Sequence, residues 1–172
     1  MRPNQLNMFS KGSNGAIFSD CRNHRFVLWR IWDESLPKAM FIGLNPSTAN
    51  EDKDDATIRR VIKFAKSWGY GGVYMLNLFT YVTAYPEELK TCQNPLLMAD
   101  EFLKMYAKDS EKIIFAWGSF YEAKERAIYV IKMFPSAYTL VRNKDGSPRH
   151  PLYVPGKTKL SLFINENKEN AK

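Results

Sequence analysis

The sequence predicts an α/β fold of three layers, with helices on both faces of a central four-stranded, mainly parallel sheet and a β-hairpin near the N-terminus. Three observations lead there. Four short continuous apolar runs, AMFIGLN (39–45), VYMLN (73–77), IIFAWG (113–118) and AYTLV (137–141), suit strands covered on both faces. The gaps between these runs carry apolar residues at helical spacing. Ahead of them, RFVLWRIWD (25–33) alternates like a strand and is expected to pair with GAIFS (15–19). Strand and helix in alternation point to a layered α/β architecture.

Each helix has its own signal. Ile58, Val61, Ile62 and Ala65 recur on one helical face, with Asp54 or Asp55 as N-cap and Gly69 near the C-cap. Residues 95–108 carry Leu96, Leu97, Phe102, Leu103 and Tyr106, and residues 120–134 carry Ala123, Ala127, Ile128 and Ile131. No internal repeat interrupts this pattern. A single domain over residues 1–164 is expected, with the hairpin at about 13–33, the core at about 39–155, and a polar tail at 165–172.

Composition narrows the function classes. The chain has 172 residues, 45% of them apolar and 14% aromatic, enough for one sizeable core. No apolar stretch reaches the roughly 18 residues of a spanning helix. The start MRPNQLNMFSKG lacks a signal-peptide core, so a cytoplasmic protein with no membrane partner is expected. Cys21 and Cys92 are widely separated and lack CxxC spacing, which argues against disulfide or zinc frameworks. Rossmann and P-loop fingerprints and the ligand sets of zinc deaminases are missing. The net charge of +7 sits at the ends, with six basic and three acidic residues over 1–40 and seven against three over 141–172. Arg142, Lys144, Arg149, Lys157 and Lys159 form a local positive field suited to phosphate.

In parallel sheets the ligand crevice lies beyond the carboxyl ends of the strands. Here those ends read Asn45-Pro46-Ser47, Asn77, Trp117-Gly118-Ser119 and, after a Gly-Pro loop, Arg149-His150-Pro151, all expected to face one crevice. Of the two histidines, His24 falls in a polar turn and reads as a surface residue, whereas His150 is the functional candidate. Behind Asn45 stand Glu51, Asp52, Asp54 and Asp55, followed by Arg59 and Arg60. Two readings apply: helix capping with an Asp55–Arg59 pair worth roughly 0.2–0.5 kcal/mol, or a site where Ser47, Thr48, Thr57 and Arg59 line a phosphate or ribose.

These four segments, in this order, resemble the uracil-DNA glycosylase superfamily over roughly residues 39–155. GLNPS (43–47) is similar to its first motif, whose Asn or Asp positions the hydrolytic water. VYMLNLFTYV (73–82) is similar to the strand whose terminal Asn reads the base, and IIFAWGSFYEAK (113–124) to its strand ending in Trp-Gly. Arg149-His150-Pro151 resembles the final motif, whose His supports the departing base. More closely, GLNPSTANEDKDDATIRR, WGYGGVYMLNLF, AWGS and GSPRHPLYVP resemble a family of bacterial and phage proteins known only as a domain of unknown function. Two departures stand out: Leu152-Tyr153-Val154-Pro155 follows His150-Pro151, and the acidic cluster has no glycosylase counterpart.

The resemblance implies an enzyme of uracil-DNA glycosylase-like fold that hydrolyses an N-glycosidic bond of a damaged or modified base in DNA, without metal or cofactor. Asn45 and His150 would be catalytic. Pro46, Ser47, Asn77, Phe79, Tyr81, Trp117 and Ser119 would bind substrate, with Phe79 or Tyr81 stacking on the base. Arg59, Arg149 and Lys157 would meet phosphate, and Leu152 or Tyr153 would act as an apolar wedge. Two alternatives are a non-catalytic binder of nucleotides or modified DNA, serving phage DNA modification or defence, and a Mg²⁺-dependent phosphotransfer or nuclease site on Asp52, Asp54 and Asp55.

Overall fold

A computed structural model describes residues 14–165. The chain forms a mixed α/β fold, a seven-stranded, partly parallel sheet with three α-helices. Its elements are β1 (Asn14–Phe18), β2 (Arg25–Ile31), β3 (Lys38–Gly43), α1 (Ala56–Ser67), β4 (Gly72–Asn77), α2 (Ala99–Lys108), β5 (Lys112–Phe115), α3 (Lys124–Met133), β6 (Tyr138–Thr139) and β7 (Ser161–Leu162). The strand order is β1-β2-β4-β3-β5-β6-β7. Adjacent strands among β4, β3, β5 and β6 run parallel, whereas β1, β2 and β7 pair antiparallel. No described helix is long and apolar enough to cross a membrane.

The expected sheet of four strands is thus corrected to seven. The N-terminal hairpin is no appendage, because β2 joins β4 with Leu28 opposite Met75 and Ile31 opposite Gly72. The physical reason is burial: most of β2 is enclosed, so it needs a neighbour on each side.

Alternation along the strands divides the core. Met40, Ile42, Tyr74 and Leu76 pack with Phe102, Leu103 and Tyr106 of α2 and with Ala127 and Val130 of α3. Ala39, Phe41, Val73 and Met75 pack with Ile58, Val61, Phe64 and Ala65 of α1. Both faces of β3 and β4 are therefore apolar, which is why these strands read as continuous runs.

Helix α1 starts where expected. Asp55 is its N-cap, accepting from the Ile58 amide at 2.9 Å, and the chain leaves through Trp68 and Gly69. Helix α2 begins at Ala99 rather than Pro95. Asn94 and Met98 take positive φ, and Thr80 holds the intervening segment through the Pro95 and Leu97 carbonyls. In the next segment a 3₁₀ turn (Tyr121–Ala123) precedes α3. Strands β5 and β6 are shorter than their apolar runs, because β5 yields to a loop before Gly118 and β6 lies near the sheet's edge.

A candidate ligand cavity at the ends of the parallel strands

Strands β3 and β4 end side by side, Gly43 opposite Asn77. A Cβ on Gly43 would lie 2.8 Å from Asn77 Oδ1 and 2.7 Å from Met75 Cε, so only glycine lets the Asn77 side chain rest across the end of β3. Asn77 is 5% exposed. It faces a cavity of about 150 Å³, which also receives Asn45, Ser47 and His150.

Asn45 is held in one orientation. Its amide nitrogen donates to the main-chain carbonyls of Pro46 at 3.0 Å and Thr83 at 2.8 Å. Both N–H groups are spent, which leaves the side-chain carbonyl oxygen as its acceptor in the cavity wall. Pro46 itself is buried and acts through its carbonyl, which also accepts from the Thr83 amide at 3.0 Å.

His150 caps a 3₁₀ turn (Pro151–Tyr153), with Nδ1 accepting from the Leu152 amide at 3.2 Å. A neutral ring that accepts at Nδ1 carries its proton on Nε2, so the imidazole is a donor at its other nitrogen. Burial lowers its pKa against a smaller opposing effect of the Asp55 carboxylate, which favours that neutral form. The turn is fastened to α1 by Arg60, whose guanidinium donates to the carbonyls of Pro151, at 3.3 Å, and Val154. One helix therefore fixes both Asp55, at its N-cap, and the turn bearing His150.

The acidic run resolves into separate duties. Glu51 forms a bidentate pair with Arg22 at 2.8 and 3.0 Å. Asp54 pairs with buried Arg30 at 2.8 Å, Asp55 caps α1, and Asp52 is exposed. Asp52, Asp54 and Asp55 do not converge, and no group of three potential metal ligands occurs among the described residues. The expected Asp55–Arg59 pair is replaced as well: Arg59 donates to the Asp54 main-chain carbonyl at 2.8 Å.

Other candidates lie elsewhere. Trp117 packs at a tilt against Phe115, ring centroids 4.6 Å apart, and, with Ser119, lines a neighbouring hollow of about 450 Å³, where Ser119 bonds Asp145. The third strand end thus misses the first cavity, because the chain turns sharply at Gly118, φ +80°. Phe79 is buried in the core and borders a third hollow, and Tyr81 packs edge-on against His24. His24 is not a surface residue: it is buried, with Nδ1 3.1 Å from Thr80 Oγ1, because it bridges to Tyr81. Arg149 is engaged through Nε with Asn143 Oδ1 at 3.0 Å, while Lys157, Leu152 and Tyr153 are exposed.

The sequence reading missed three cavity residues. Phe120, 37% exposed, is the aromatic in the cavity wall, and a Cβ on Gly118 would meet its ring at 3.0 Å. Thr83 holds Asn45. Arg25, only 3% exposed, lines the cavity with one bond, Nη1 to the Ala49 carbonyl at 3.0 Å, and its buried Nε has no partner. Desolvation lowers its pKa to about 10, still charged at neutral pH. Its only sequence signal was an arginine opening a mostly apolar strand.

Taken together, this is a mixed α/β protein with a small polar cavity at the carboxyl ends of its central parallel strands. Residues 25–152 match the family described as a protein of unknown function, DUF1643, and the chain belongs to that family. No curated protein and no solved structure matches it significantly.

Proposed function

We propose that the protein is an enzyme of uracil-DNA glycosylase-like fold that hydrolyses the N-glycosidic bond of a damaged or modified base in DNA. The carrying observation is that Asn45, Asn77 and His150, distant in sequence, line one cavity while keeping polar atoms unspent. The parallel order β4-β3-β5-β6 is compatible with the motif order that the resemblance implies.

In this mechanism the base occupies the cavity, with Asn77 offering a donor and an acceptor to its edge and Phe120 stacking near the opening. The C1′–N bond breaks, its electron pair leaves with the base, and positive charge develops on the sugar. Asn45 Oδ1 orients a water whose oxygen bonds C1′ and whose proton passes to solvent. His150 donates from Nε2 to the departing base. An amide is a weak base, so turnover is slow. Lys157 and Arg149 would meet the phosphates, and Leu152 or Tyr153, exposed in the turn after His150, would act as the wedge.

The test is release of labelled base from uracil-containing, mismatched and modified DNA. Release by the native protein, abolished in Asn45→Ala with DNA affinity kept, is the expected result. Binding without release would leave a non-catalytic binder of nucleotides or modified DNA, and neither release nor binding would sink the proposal.

A further inference from the structure

The mechanism above uses neither Arg25 nor the charge of Asp55, yet both line the cavity. Arg25 is almost wholly enclosed and its guanidinium makes a single hydrogen bond to a described residue, to the Ala49 carbonyl; its Nε is buried without a partner. Such a group is rare in a folded chain, because an enclosed donor without an acceptor loses its hydration for nothing. Asp55 spends Oδ1 on the Ile58 amide, and its other oxygen makes no bond to a described residue. The two charges feel one another but form no ion pair. They stand apart in the wall of a space of about 150 Å³, a size suited to one heterocyclic ring.

The chemistry of the two groups is complementary and one-sided. A guanidinium only donates, and an ionised carboxylate only accepts. A ligand touching both must show an acceptor to Arg25 and a donor to Asp55. A fully anionic ligand would gain at Arg25 and lose at Asp55, so the pair favours a neutral ring with both functions. The side-chain amide of Asn77 tolerates either function and cannot by itself impose this polarity.

We propose that Arg25 and Asp55 are the specificity-determining residues of the cavity, selecting a base edge that offers a carbonyl oxygen to the guanidinium and a ring N–H to the carboxylate. Such an edge is the lactam of a keto base. A base with an amino group in place of the carbonyl would oppose donor to donor at the buried guanidinium, and would be rejected by a factor of about 10–100. The inference rests on the nucleobase reading of the site and adds which bases it admits and by which residues.

The test uses pairs that differ by one keto or amino group, uracil against cytosine and hypoxanthine against adenine, as free bases and as 2′-deoxynucleosides. Affinities are measured by calorimetry on the full chain. At least one keto member should bind at least about tenfold tighter than its amino partner, and in Arg25→Gln the gap should shrink to about threefold or less. Circular dichroism reports whether that variant folds. Asp55→Asn retains a capping oxygen, keeps Arg25 intact, and should also narrow the gap. Equal binding of keto and amino members, or an undiminished gap in both folded variants, overturns the assignment while leaving a nucleobase site standing. Binding of none of these bases overturns the assignment, and the nucleobase reading falls with it if the DNA panel also shows neither release nor binding.

Discussion

Strand β2 carries two buried arginines of opposite character. Arg30 is saturated: it pairs with Asp54 at 2.8 Å and donates to the carbonyls of Asn50, Trp29 and Gly15 at 2.7, 2.8 and 3.3 Å. Arg25, equally enclosed, has one side-chain bond to a described residue and an orphaned Nε. The first arginine stitches the acidic loop to the sheet. The second stands in a cavity wall with its hydrogen-bonding capacity unspent. The difference separates a structural cation from one kept for a ligand, and three of the acids behind Asn45, Glu51, Asp54 and Asp55, serve Arg22, Arg30 and the helix cap.

The comparison can be broken most severely at Arg30. Arg30→Ala removes four well-satisfied contacts and leaves Asp54 half-enclosed without its partner, so a loss of about 3 kcal/mol is expected in urea unfolding. Arg25→Gln should change stability by less than about 1 kcal/mol, since only one bond is lost and an orphaned donor goes with it. Comparable losses in the two variants would erase the distinction.

Gly43→Ala probes the cavity from the opposite wall. The added methyl meets Asn77 and Met75, so about 2 kcal/mol of destabilisation from overpacking is expected, together with loss of base binding as Asn77 shifts. At the helix, Asp55→Ala should cost about 1 kcal/mol through the lost cap, and Asp55→Asn should restore most of it. Smallest is Arg22→Ala, whose solvent-exposed pair with Glu51 contributes under about 1 kcal/mol and should weaken further in salt.

Acidity gives a separate handle. Burial lowers the folded-state pKa of both His24 and His150 below the ordinary value. The unfolded chain therefore binds more protons in the window between each lowered pKa and about 6.5. Stability is present above that window and is lost as pH falls through it. Base release, which needs neutral His150 as donor, should hold at neutral pH and decline on acidification, with the decline tracking the His150 resonance in an NMR titration. An acid decline that persists unchanged in His150→Gln would remove that residue's role.

Much of this arrangement was legible in the sequence where the signals are local. The runs of β3 and β4 announce strands covered on both faces, and Asp55 and Gly69 bracket α1 by ordinary capping chemistry. Asn45 and Asn77 stood out because each is polar at the end of an apolar run, and His150 because it follows a Gly-Pro loop expected beside the sheet's carboxyl edge. What stayed hidden depends on pairing between distant segments. The placing of β2 beside β4 brings Arg25 into the cavity, and only the bridge from His24 to Tyr81 shows that this histidine is enclosed. The stacking aromatic was sought at Phe79 and Tyr81, but the reversal at Gly118 brings Phe120 to the opening instead.

The most direct measurement is a ¹⁵N NMR titration of the full chain with a single-stranded oligonucleotide containing uracil, following the side-chain signals of Arg25 Nε–H, Asn77 and His150. Shifts concentrated on these three groups, with the Arg25 guanidinium signal moving furthest, are the expected result. Binding that perturbs other surfaces while these signals stay fixed would contradict the assignment of this cavity as the ligand site.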